Sequence, residues 1–195
     1  AANLLTNLTV FKLGVLADVV VLLAEVILTV MLFIIFRPVS RGLSLIAAFS
    51  RIAMVMVMAI NILLHIMPVV LLNGAEHLNA SDVDQRNNLA MLFFEAHSLG
   101  VYVWQLFFSV HLFALGYLVV KSGLFPKLLG WMMAIGGFGY LLQGLAAITF
   151  VDIALLTYVY IALLVLVTLG ELAFAIWLLI KGMDSEKWRG LARDA

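Results

Sequence analysis

The 195-residue chain contains no cysteine, which removes disulfide frameworks, thiolate nucleophiles and thiolate-held iron–sulfur clusters. It also has little charge. Asp, Glu, Lys and Arg make up 11% of residues, against about 25% in a water-soluble globule. Eleven basic and eleven acidic residues cancel, so the basic footprint of a nucleic-acid binder is missing and no nucleic-acid partner is expected. There is no HExxH, Walker loop, dinucleotide fingerprint or EF-hand, and no Gly-x-Ser-x-Gly. The four histidines are dispersed along the chain. No metal and no cofactor is therefore expected, and an enzyme is the less favoured class.

What the chain does have is apolar surface. Hydrophobic residues make up 66% of it, more than a domain of this size can hide from water. Several apolar runs reach the roughly 20 residues that cross a hydrocarbon core as a helix. They are continuous rather than alternating, which argues against a β-barrel. The expected fold is all-α, a polytopic transmembrane helix bundle with five spans at about 11–36, 41–72, 84–121, 127–150 and 152–181. Residues 1–182 form the bundle, and 183–195 form a short charged tail that does not read as an amphipathic helix of useful length.

Local signals set these limits. Arg37-Pro38 ends the first span, since proline excludes helix at the residue before it. Pro68 and Asn73-Gly74 mark the end of the second. Ser81 and Asp84 read as a cap for the third. Ser122-Gly123 closes that helix, Pro126 opens the fourth and Gly182 caps the fifth. The fourth span carries Gly130, Gly136, Gly137, Gly139 and Gly144, which marks it as the closely packed, central helix. No internal repeat stands out.

Basic residues cluster in the loop Arg37–Arg41, the loop Lys121–Lys127 and the tail (Lys181, Lys187, Arg189, Arg193). Five alternating helices put all three on one side. The positive-inside rule places that side and the C-terminus in the cytoplasm, with the protein in the cell inner membrane. The opposite side carries the acidic loop with Glu76, His77, Asp82, Asp84 and Arg86. Membrane lipids are the certain neighbours. A small molecule or a proton is a further candidate partner, and a protein partner is not specified by the sequence.

Four ionisable residues lie inside the spans. Glu25 stands twelve residues before Arg37, and Arg51 ten after Arg41. His111 stands ten before Lys121, and Glu171 ten before Lys181. Each therefore lies about 15–18 Å from the basic end. Charge in hydrocarbon needs a partner. Arg51 cannot give up its proton, so it requires a carboxylate, and Glu25 and Glu171 are both candidates. Such a layer can be a structural network, a substrate anchor or a proton relay.

A second layer lies nearer the other end. His97 is fourteen residues before His111 and His65 fourteen after Arg51, so each pair shares a helix face. Asp18 shares a face with Glu25. Asn61, Gln105, Gln143 and Tyr158 fall in the same half, with Trp104 and Phe108 on the His97–His111 stripe. These residues would line a polar path to the deeper cluster. Alternatively, Asp18, Glu95 and His97 simply sit at the interface. A haem between membrane helices would need paired axial histidines at two levels, a pattern that is missing.

A series of short motifs runs along the chain: Phe11-Lys12-Leu13-Gly14 with Ala17-Asp18, Arg37-Pro38-Val39, Arg51, Glu95-Ala96-His97-Ser98-Leu99-Gly100 and Gly116-Tyr117-Leu118. It continues through Ser122-Gly123-Leu124-Phe125-Pro126-Lys127, Gly139-Tyr140-Leu141 and Gly170-Glu171 with Trp177-Leu178-Leu179. In these motifs and their order the chain resembles the bacterial multi-pass membrane family called domain of unknown function 4386. The resemblance implies another span before Ala1 and six in the complete protein. It brings no activity with it. Three classes of function stay open: a small-molecule or lipid binder or transporter using the polar core, a structural or signalling protein with a sealed salt-bridge network, and an intramembrane enzyme or haem protein.

Overall fold

A computed structural model describes residues 7–73 and 83–193. Among them are six helices: α1 (Leu8–Phe36), α2 (Arg41–Leu72), α3 (Val83–Ser122), α4 (Lys127–Ile148), α5 (Ala154–Ile180) and α6 (Ser185–Arg193). The first five are long and apolar enough to cross a membrane. The cap expected at Ser81 and the loop residues Glu76, His77 and Asp82 lie outside the described residues, as does any segment before Ala1.

The helix ends follow the local chemistry. Gly123 and Gly182 both take left-handed backbone, with φ of 65° and 66°, a region that costs glycine nothing. The Gly182 amide donates to the Trp177 carbonyl and closes α5. Pro126 sits at the N-cap of α4. The α2 helix ends at Leu72, at its expected limit, and runs on through the buried Pro68. One end differs from expectation. The α4 helix stops at Ile148, where Phe150 takes φ 55° and the Val151 amide reaches back to the Ala146 carbonyl.

The extensive contacts all join helices adjacent in sequence: α1 to α2, α2 to α3, α3 to α4 and α4 to α5. The result is an up-and-down bundle in which α1 and α5 are the two edges. The most buried helix is α3, not the glycine-rich α4. The most apolar stretch of α3 is 56% buried, against 33% for α4. Glycine governs approach, not position. In α4 the glycines face α3 and α5, while Leu128, Trp131, Ile135 and Phe138 face outward. A Cβ on Gly116 of α3 would fall 2.6 Å from the Gly130 carbonyl oxygen of α4, and one on Gly136 would fall 2.6 Å from Val167 of α5. Glycine on both helices lets the α3 and α4 backbones touch, and Gly136 lets α4 pack against the Val167 side chain and backbone of α5.

The tail is the largest departure. It forms the amphipathic helix α6, whose Trp188 and Leu191 pack against the core. Trp188 Nε1 donates to the Ile35 carbonyl at 3.0 Å, and Lys187 Nζ to the Gly123 carbonyl at 3.4 Å. The apolar positions 188, 191 and 192 recur at helical spacing among the charges, and total charge hides that pattern.

Candidate functional site

The depth coincidence becomes contact on the α1–α2–α3 side. Arg51 Nη2 lies 2.5 Å from Glu25 Oε2, and Arg51 Nη1 lies 2.8 Å from His111 Nε2. His111 Nδ1 lies 2.9 Å from the Ala47 carbonyl oxygen. A carbonyl only accepts and a guanidinium only donates. The imidazole is therefore the Nδ1–H tautomer, with Nε2 taking the arginine proton. Arg51 and His111 are buried, and the guanidinium lies 5.9 Å above the Phe108 ring.

Glu171 stands apart from this triad. It lines a cavity of about 220 Å³ together with Arg51, His111, Leu28, Leu32, Met133 and Phe174. The Tyr140 side chain of α4 lies within electrostatic reach of its carboxylate. The cavity is walled by both edge helices, α1 and α5. Tyr140 was not singled out as a site residue from sequence. It lies thirteen residues after Lys127, about the same depth as the other four, so the same counting would have found it.

The outer layer also assembles. The His65 and His97 rings stack with centroids 4.4 Å apart. His65 Nδ1 lies 3.7 Å from Asp18 Oδ2. His97 Nδ1 donates to the Asn61 carbonyl at 3.1 Å, so Asn61 contributes its backbone here. The buried Asn61 side chain packs directly against Gly100, which has no side chain to block it. Asp18, Asn61, His97 and Trp104 line a second cavity of about 190 Å³. Gln105 and Gln143 bond each other at 2.9 Å. Tyr158 does not join the layer. It is 73% exposed on the outside of α5. Glu95 is likewise exposed.

Between the two layers stands an aromatic stack. Trp104 lies on Phe108 at 5.0 Å, Phe108 on His111 at 5.8 Å, and Tyr140 meets both Trp104 and Phe108 edge-on. The stack follows from positions 104, 108 and 111 sharing one face of α3. No group of three or more metal-ligating side chains occurs among the described residues. His65 and His97 face each other directly rather than from opposite sides of a haem plane.

The family described as Domain of unknown function (DUF4386) matches residues 1–182. A protein of Archaeoglobus fulgidus, described as uncharacterized, is 28% identical over 162 residues, covering 83% of this chain and 79% of that one. This relative is archaeal, so it does not carry the bacterial origin that the resemblance implied. No solved structure gives a significant match. With the match spanning the whole five-helix bundle, the chain belongs to the DUF4386 family of membrane proteins.

Proposed function

We propose that the protein binds a small amphipathic molecule in the cleft between α1 and α5, with its polar end at Glu171 and its apolar part in the bilayer. The observation that carries this is a spare carboxylate. Glu25 neutralises Arg51 in direct contact, which leaves Glu171 with no cation of its own beside a cavity. A buried acid so placed favours a proton, an amine or a hydroxyl-rich group. The volume points the same way. About 220 Å³ is below the 300–1,000 Å³ usual for an enclosed ligand. It fits a head group whose tail leaves between the two edge helices. The outer cavity and the aromatic stack would form an entry path for a transported molecule. We place the basic end in the cytoplasm and the protein in the inner membrane. The lack of native cysteine makes this simple to check. A single Ser185→Cys should react with an impermeant thiol reagent only from the cytoplasmic side.

The test of binding is photo-crosslinking with a diazirine-labelled long-chain amine and the matching alcohol. Labelling should map to the facing walls of α1 and α5. It should fall in Glu171→Gln, and also in Ala175→Trp, which fills the cleft from an exposed position on its wall. Equal labelling in all three proteins, or uniform labelling of every lipid-facing helix, refutes the proposal.

One observation favours a second reading, a purely structural network. The Glu25–Arg51–His111–Ala47 chain ties α1, α2 and α3 together through direct contacts between protein groups. On that reading Glu171→Gln changes stability and leaves labelling unchanged.

A further inference from the structure

Beneath α6, at the basic end, lies a pocket that the polar core does not explain. It holds about 440 Å³ and is lined by Phe33, Arg37, Pro38, Arg41, Trp188 and Ala192. Arg37 caps the C-terminus of α1 and Arg41 begins α2, so the Pro38 turn brings two guanidinium groups to one corner. Among the described residues neither has a side-chain partner and no acid lines the pocket. Of the acids described on the tail, Glu186 does not line the pocket and Asp184 is already engaged. Its carboxylate accepts the Lys187 amide at 3.1 Å and lies 3.4 Å from the Lys187 ammonium. The far wall is fixed, because the Trp188 indole is tied to the Ile35 carbonyl.

We infer that this pocket binds the phosphate of an anionic phospholipid. Two arginines facing one cavity, with no partner among the described residues, are suited to phosphate, which accepts their planar forks in bidentate fashion. Position selects a lipid over a soluble phosphate. The pocket sits at the end of a lipid-facing helix, and Met31 and Ile34 are exposed along α1 just before it. They give acyl chains a surface leading to the arginines. The indole of Trp188, apolar in body with a polar tip, belongs at that boundary. The site then does more than attract charge at large. It joins α1, α2 and α6 through one head group.

Native mass spectrometry of the full chain with phosphatidylglycerol and phosphatidylcholine tests this. Wild type should hold phosphatidylglycerol more tightly. Arg37→Gln/Arg41→Gln should weaken that binding about 30-fold, with phosphatidylcholine unaffected. Lys121→Gln/Lys127→Gln, at the neighbouring basic loop, should stay close to wild type. Should the glutamine pair not fold, Arg37→Lys/Arg41→Lys keeps the charge but loses the fork, and should still weaken binding. Equal weakening by both glutamine pairs would mean diffuse surface charge and overturn the site. So would an absence of preference in wild type. Displacement of the lipid by inorganic phosphate would overturn the lipid assignment.

Discussion

Neutralising Glu25 and neutralising Glu171 should have unequal consequences, although both are membrane carboxylates at one depth. Glu25 touches Arg51 at 2.5 Å, and the two side chains are 20% and 8% exposed. Removing one partner of a buried pair strands the other charge and costs about 3–5 kcal/mol. Glutamine keeps an acceptor and Glu25 is partly exposed, so Glu25→Gln belongs near the lower end, about 3 kcal/mol. Glu171 has no such contact. Glutamine at 171 strands no cation, so the loss is no more than that of one hydrogen bond, about 0.5–1.5 kcal/mol. The difference exceeds a tenfold change in the folding equilibrium. It can be read by unfolding in mixed micelles of rising SDS fraction, followed by the fluorescence of the four tryptophans. Glu25→Leu with Arg51→Met removes both charges and should recover part of the loss, because what the single variant leaves is an uncompensated charge. Equal losses for the two glutamine variants, or a larger loss at 171, would refute the assignment of Glu25 as the partner.

Glycine positions should divide cleanly. Gly116→Ala sets a methyl 2.6 Å from the Gly130 carbonyl oxygen and 2.8 Å from Ala134, and should cost about 1–3 kcal/mol in the same assay. Gly14→Ala meets nothing within 4 Å and should stabilise α1 by up to about 1 kcal/mol through helix propensity. The α6 helix should respond to acid. The hydrogen bond from the Lys187 amide, with the ammonium beside it, holds the Asp184 carboxyl below its usual range. A lowered folded value means the contribution is present above the unfolded value and is lost as pH falls through the folded one. Protection of the α6 amides, relative to their intrinsic exchange rates, should therefore fall below about pH 4. Asp184→Asn should show the lower protection already at neutral pH.

Depth was legible in the sequence, and azimuth was not. A helix advances 1.5 Å per residue whatever surrounds it. Counting from Arg37, Arg41, Lys121 and Lys181 therefore placed four groups in one layer. Which of them meet depends on how each helix turns about its axis, and packing sets that. Hence Glu25 and Glu171 were equal candidates for Arg51 until helix order put α1 beside α2 and α5 at the far edge. The outer residues show the same division. Asp18, His65 and His97 meet as their shared faces implied, whereas Tyr158 points away from α4. Glycine count was a poor guide to centrality, because it reports how close two backbones come and not how many neighbours a helix has. The α6 helix was hidden by its charges.

The sequential order of the helices bears on how the protein is made. Each span packs mainly on the one inserted just before it, so every step of assembly closes a short stretch of chain and can proceed as the helices emerge. The ties of α6 do not follow that order. Trp188 reaches the Ile35 carbonyl across 153 residues. This bond forms only after the last span has entered the membrane. Folding of α6 is therefore the last event of assembly, and it fastens the C-terminal tail to the end of the first span.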